Sequence, residues 1–312
     1  MVVAVAVRGA LSPAEIAARS QGVLDRPLTH DAELILAHPD AEAVLLGAFE
    51  RDTASVVCAQ MCAECTVHRR GSGGAAVTIG PGTLWMSLAL ARTDALVPCT
   101  PDKLLNRYVR PLLRALGRVG ALAHYFGRDW VSVAHRPAAA IGFAHDTSTG
   151  RAAIEAFVAV SSPFAIADRA SFLSKSPGTL VELLGKPVDM AKLARAVADA
   201  YAPEAEALEL SAVAVSTAVP ASEPPWAACV DEAIGELGAG PDAAGRFRVG
   251  GQLMVSRDAL ASLEARLAAG EPVEAAIDAA LAAPGVALMG VKSLRSLADV
   301  IARARAASEA RL

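Results

Sequence analysis

Arg69-Arg70-Gly71-Ser72-Gly73-Gly74-Ala75-Ala76-Val77 sets three glycines around a serine, directly behind two arginines. Glycine lets backbone N–H groups come close to a ligand, and arginine offers a planar fork matched to a carboxylate or phosphate, so the stretch reads as a loop that handles anions. The spacing Gly71-x-Gly73-x-x-Ala76 also satisfies a dinucleotide-binding turn. That turn needs a helix to open at once, so that its N-terminus meets the pyrophosphate. Here Val77-Thr78-Ile79 reads as a strand and Gly80-Pro81-Gly82 as a turn, which argues against it. A purely structural turn stays open as the alternative, and the paired arginines favour a site.

Outward from the loop, strand-like runs recur at Ala43–Gly47, Thr66–His68, Ala75–Ile79, Trp130–Val133 and Ala156–Ser161, while 102–116 and 189–201 carry helical periodicity. Met1-Val2-Val3-Ala4-Val5-Ala6-Val7 reads as a core strand: Arg8 interrupts it and no basic segment precedes it, against a signal peptide. Ser12-Pro13-Ala14-Glu15 reads as an N-cap, a proline in the first turn and a capping glutamate, opening a helix toward Leu24. Strands and helices without a regular βαβ rhythm predict an α+β fold with a partly antiparallel sheet. Pro220-Ala221-Ser222-Glu223-Pro224-Pro225 reads as a linker, which predicts domains at 1–219 and 226–312. In the second, 247–249 and 252–255 read as short strands, followed by helices near 258–269, 272–283 and 293–307.

A length of 312 residues suits about two domains, and 54% hydrophobic content with 4% aromatic implies an interior filled largely by alanine and valine. The net charge of −4, with both signs interspersed, leaves no basic field to gather nucleic acid or anionic lipid. No apolar run approaches the ~20 residues of a membrane helix. These readings predict a cytoplasmic protein with reduced thiols. Cys58, Cys62 and Cys65 have the C-x3-C-x2-C spacing of a cluster-binding loop, yet the same spacing is one face of a helix. Buried core cysteines without an iron–sulfur cluster are the favoured reading, with a metal site the alternative. The histidines show no paired ligand spacing.

The loop with its continuation, Val77-Thr78-Ile79-Gly80-Pro81-Gly82-Thr83-Leu84-Trp85-Met86-Ser87, resembles the RRxSGGGxVxH…GNxNxS signature of lipoate–protein ligases, in the biotin/lipoate A/B ligase superfamily. Gly127-Arg128-Asp129-Trp130-Val131-Ser132-Val133 resembles the family's GRNDxxV strand without its Asn, and Ser176–Leu184 resembles its SRVTNL segment. Ala153–Val158 lies where the family has an HGTLL-like strand. The family's (R/K)KxxG lysine, which holds the activated acyl-adenylate, is replaced by Pro137 in Arg136-Pro137-Ala138-Ala139-Ala140. Ile79 stands for the motif histidine and Ala75 for the third glycine.

The resemblance implies a ligase-type mixed sheet over 1–219 and a small α+β accessory domain over 226–312. It implies that lipoate or octanoate and Mg·ATP form an acyl-adenylate, whose acyl group passes to a lysine of a lipoyl-domain carrier. Arg69, Arg70, Ser72, Gly73, Gly74 and Ala75 would cradle the ligand, Arg70 taking its anion, and Asp129 would help hold Mg²⁺. Loss of the lysine implies weak or lost transfer, and a non-catalytic protein that recognises a lipoyl-like ligand or carrier domain is the rival reading. Lys175 and Lys186 lie in the same domain.

Overall fold

Stretches such as Leu34-Ile35-Leu36-Ala37 put apolar side chains at consecutive positions, the pattern of a strand buried on both faces. A computed structural model shows why; it describes residues 2–51, 65–164, 175–215, 223–232 and 234–309. In chain order the elements are β1 (Val3–Leu11), α1 (Pro13–Gln21), β2 (Ala32–Pro39), β3 (Ala43–Leu46), β4 (Thr66–Arg69), β5 (Val77–Ile79), β6 (Thr83–Leu90), α2 (Leu104–Tyr108), α3 (Arg110–Arg118), β7 (Ala123–His124), β8 (Trp130–Val133), β9 (Arg136–His145) and β10 (Ala152–Ala159). Then come α4 (Leu180–Leu184), α5 (Met190–Tyr201), β11 (Glu206–Ala207), β12 (Ala228–Glu232), β13 (Gly235–Pro241), β14 (Phe247–Gly251), β15 (Met254–Val255), α6 (Arg257–Ala268), α7 (Val273–Leu281), β16 (Leu288–Met289) and α8 (Leu294–Glu309).

Eight strands form one mixed sheet in the order β11-β1-β2-β6-β10-β9-β8-β7. β11, β1 and β2 run parallel, and every pairing from β2 onward is antiparallel. Leu34, Leu36, Leu84, Met86 and Leu88 point to one face and pack against Leu112 and Leu116 of α3 and Leu193 and Val197 of α5. Ile35, Ala37, Trp85 and Phe157 point to the other. There they meet Ile16 and Ala17 of α1 and the small sheet β4-β3-β5, through Leu45, Val77 and Ile79. The chain is therefore α+β, as its sequence predicts.

Helix α1 starts where its cap says: Ser12 Oγ accepts from Glu15 N at 3.2 Å, with Pro13 in the first turn. It ends at Gln21, and Gly22–Leu24 continue only as a 3₁₀ turn. After residue 223 an antiparallel sheet β12-β13-β14 packs with α6, α7 and α8 around Leu263, Ile277 and Ile301. The hairpin-like pair β15 and β16 reaches back to the large sheet, where Met254 joins the core. No helix among the described residues is long and apolar enough to cross a membrane.

Candidate functional site

The glycine loop leaves β4 and crosses from the small sheet to the large one. Backbone bonds fix both flanks: Arg70 N donates to Leu46 O at 3.0 Å, and Ala48 N to Ser72 O at 2.9 Å. The amides between them are also committed. Gly71 N donates to Ser20 Oγ at 2.8 Å, Gly73 N to Phe143 O at 2.9 Å and Gly74 N to Leu253 O at 3.2 Å. Gly73 has to be glycine for close approach, since a Cβ there would lie 2.5 Å from Leu253 O and 3.0 Å from Met254 Cα. Gly74 adopts a φ of +101°, which side chains rarely take. Ser72 and Ala75 are buried with them.

Arg70, read from the sequence as a fork for a ligand anion, directs its guanidinium into the protein. It is 2% exposed, and four of its five N–H donors are taken by the protein: Nε on Ser72 Oγ, Nη1 on Leu45 O, and Nη2 on Gly73 O and Ala75 O, all at 2.9–3.0 Å. Burial pulls its pKa below the ordinary value, while Glu50, Glu155 and Asp129 pull it back. Buried arginine is tolerated only when its charge and its donors are matched, and this loop supplies four acceptors. Arg69 faces the opposite side, donating to Gly47 O, to Glu50 O and to the Glu223 carboxylate.

A buried acidic ring surrounds Arg70, and the motif reading overlooked most of it. Glu155, 1% exposed, accepts from Ser20 Oγ at 2.6 Å and Trp85 Nε1 at 2.9 Å. Glu50 accepts from Gly47 N at 2.7 Å, and burial raises its pKa. The one signal was a glutamate inside the apolar run Ala153–Val158, which a satisfied core strand would not carry without partners.

Asp129 is different. It is 2% exposed and neither carboxylate oxygen has a hydrogen-bond partner, although its backbone carbonyl accepts from Ile141 N at 2.7 Å. Burial drives its pKa up to about 7, against the pull of its own backbone amide and of the Arg128 and Arg70 charges. The Tyr125 hydroxyl and Trp130 Nε1 on the same segment are likewise buried without partners. Buried polar atoms seldom go unmatched, and the side chains of Tyr125, Asp129 and Trp130 leave four of them so within six residues.

Pro137 lies second in β9, behind a two-residue turn at Ala134 and His135 with φ of 48° and 63°. Such turns match the strand twist of a tight hairpin. Its carbonyl accepts from Gly178 N at 2.9 Å, and Arg136 holds Ser176 O and Pro177 O at 3.1 and 2.6 Å. The strap 175–178 is thereby laid along the hairpin. Lys175 Nζ donates to His135 O at 3.2 Å and stands 5.9 Å from the Trp130 ring centroid. Lys186 is elsewhere: its Nζ would lie 3.1 Å from a Cβ on Gly120, past the end of α3.

Cys58 and Cys62 lie outside the described residues. Cys65 precedes β4 in extended chain instead of standing on a helix, and it is disulfide-bonded, so the reduced thiol read from the sequence does not hold there. It packs beside Val44, Leu46 and Ala76.

A mixed sheet with this loop at its edge and the GRD strand beside it defines a ligase-type catalytic scaffold. The family model for the lipoyl protein ligase A/B catalytic domain matches residues 17–202, and the chain belongs to that family. The fold is shared with a bipartite lipoate protein ligase of Thermoplasma acidophilum, described with its E2 lipoyl domain, at TM-score 0.55 and 12% identity over 68% of this chain and 88% of that one. It is shared also with a lipoate-protein ligase A bound with ATP (TM-score 0.53, 12% identity, 67% and 88% covered). A putative lipoate protein ligase from T. acidophilum with bound lipoic acid follows at 0.50 and 12%, covering 65% and 85%. Comparison with curated proteins gave no match.

Proposed function

We propose that the protein binds a lipoyl- or octanoyl-type acyl group, or its adenylate, and passes it to a carrier-protein lysine weakly or not at all. The observation that carries this reading is Asp129: a buried carboxyl group without hydrogen-bond partners, just before β8 in the segment that resembles the family's GRNDxxV motif, beside a hairpin in which Pro137 stands where the resemblance expects the lysine. The matching scaffold, and relatives solved with lipoic acid, with ATP and with a lipoyl domain, support the ligand and partner classes.

Asp129 fits one ligand position of a Mg²⁺ held otherwise by phosphate oxygens and water, and the ion would neutralise charge on the nucleotide. Arg70, Ser72, Gly73, Gly74 and Ala75 form the wall of this site and keep its shape, with Arg69 fixing the outer flank. Gly74 N is the member of that wall whose present acceptor, Leu253 O, comes from the C-terminal segment. Residues 226–312, with a core of their own, act as the accessory domain, 220–225 being the linker. A cytoplasmic setting follows from the carrier chemistry. The rival, a non-catalytic protein that recognises a lipoyl-like ligand or carrier domain, is favoured by Pro137 and by Ala140 in the same motif.

The test is incubation with lipoate or octanoate, Mg·ATP and an unmodified lipoyl domain, read by intact mass of the carrier beside an active ligase. A rate about 10²–10³ below that enzyme is expected from loss of one electrostatic partner. Modification at a comparable rate refutes the weak-transfer reading. Thermal shifts with the acyl ligands, ATP and an acyl-adenylate analogue test binding separately.

A further inference from the structure

The strap 175–178 is tied to the β8–β9 hairpin by three bonds: Gly178 N to Pro137 O, and Arg136 to the carbonyls of Ser176 and Pro177. These bonds hold Lys175 at the hairpin turn. Its ammonium has three N–H donors, one of them on His135 O, and it faces the ring of Trp130. Trp130, 5% exposed, closes one end of the apolar interior between the two sheets, with Ala140 and Phe157 beside it, and its Nε1 lacks a partner.

Two other cations described near the loop and the hairpin are held by the protein. Arg70 places four of its N–H donors on the loop and on Leu45 O, and Arg136 donates to the strap and to Glu182 at 2.5 Å. Of the chain's five lysines, Lys103 pairs with Asp102 at 2.9 Å, Lys186 lies by Gly120, Lys192 is in the first turn of α5, and the Lys292 amide is tied to Glu232. Of these lysines, Lys175 combines an exposed side chain with a contact to the segment that carries the orphaned polar atoms.

Resting on the function proposed above, we propose that Lys175 is a ligand-binding residue: its ammonium, brought from the strap, faces the anionic head of the bound acyl group or acyl phosphate, across Trp130 from the position where Pro137 offers no charge. The acyl chain would lie toward the apolar interior, with the phosphate toward Lys175 and Asp129 below it.

The experiment is calorimetric titration of a non-hydrolysable octanoyl-sulfamoyl adenosine into wild type, Lys175→Met, Lys175→Arg and Lys186→Met, with melting curves of each. Lys175→Met should lose about 10- to 100-fold in affinity, the scale of a charge-assisted bond, while Lys175→Arg recovers most of it and Lys186→Met keeps wild-type affinity. Because Lys175 is exposed, its melting temperature should be unchanged. Wild-type binding with an equal Kd for Lys175→Met, or an equal loss in Lys186→Met, overturns the role of Lys175 and leaves the proposed function standing. No binding by wild type overturns both.

Discussion

At the residue scale, Arg70 and Asp129 show opposite solutions to buried charge. Arg70 meets four acceptors and three nearby acids, so Arg70→Ala should cost about 3–5 kcal/mol by urea denaturation, since it strands those partners. The Asp129 carboxyl has no hydrogen-bond partner, and burial outweighs the charges of Arg128 and Arg70, so it holds its proton. Its folded pKa, about 7, stands above the ordinary carboxylate value, so the fold binds a proton that the unfolded chain has released. The resulting stability is complete below about pH 4 and is lost as pH rises through 7, at up to about 1.4 kcal/mol per pH unit. Asp129→Asn should therefore raise the melting temperature at pH 8 and change little at pH 4. Equal shifts at both values would show that Asp129 does not titrate in this window.

At the element scale, the loop between β4 and β5 joins parts distant in sequence: β3 behind it, β9 at Phe143 and the C-terminal segment at Leu253. Close approach, not ligand geometry, sets the glycine requirement at 73. Gly73→Ala would press a methyl into the backbone of Leu253 and Met254, at an expected cost of about 1–3 kcal/mol. Hydrogen exchange should quicken at Gly74 N–H if the C-terminal segment yields, and at Gly73 N–H if the loop retreats from β9. Elements with local signals were legible in sequence. Trp130–Val133 is a strand at the residues read for it, and Asp189 caps α5 through its bond from Lys192 N. The edges of β10 and of the 102–116 helix were not: β10 opens at Ala152, and the helix breaks at Val109 before Pro111.

At the scale of the whole molecule, the C-terminal segment is bolted to the large sheet beside the loop. His145 Nδ1 meets Ser256 Oγ at 2.8 Å, both buried; Asp258 takes Thr147 N and Ser148 N, and Arg257 reaches Asp25 and Asp146. Ser256→Ala also strands Ala287 N, so a loss of about 1–3 kcal/mol is expected from urea titration. Burial lowers the His145 pKa, with Asp258 and Asp146 opposing. The fold thus keeps His145 neutral: its contribution is present above the ordinary histidine value and is lost as pH falls below it. Acid should weaken this junction, and His145→Gln should flatten the dependence between pH 5 and 7. A slope unchanged in that variant would assign it to other groups.

The sequence by itself determined the family, the α+β class and the loop that identifies it, because glycine spacing, caps and apolar periods are local properties carried by neighbours in the chain. It also put Pro137 where the resemblance expects a lysine. Only the tertiary structure decided what those residues do. Arg70 reads as a fork for an anion, and the fold sets it against Leu45, Gly73 and Ala75; Asp129 reads as a Mg²⁺ ligand, and the fold buries its carboxyl without a hydrogen-bond partner. Lys175 and Pro137 lie far apart in sequence and share one hairpin end in space. Satisfaction of a polar group and placement of a charge depend on groups brought together across the whole chain, and no local pattern encodes those meetings.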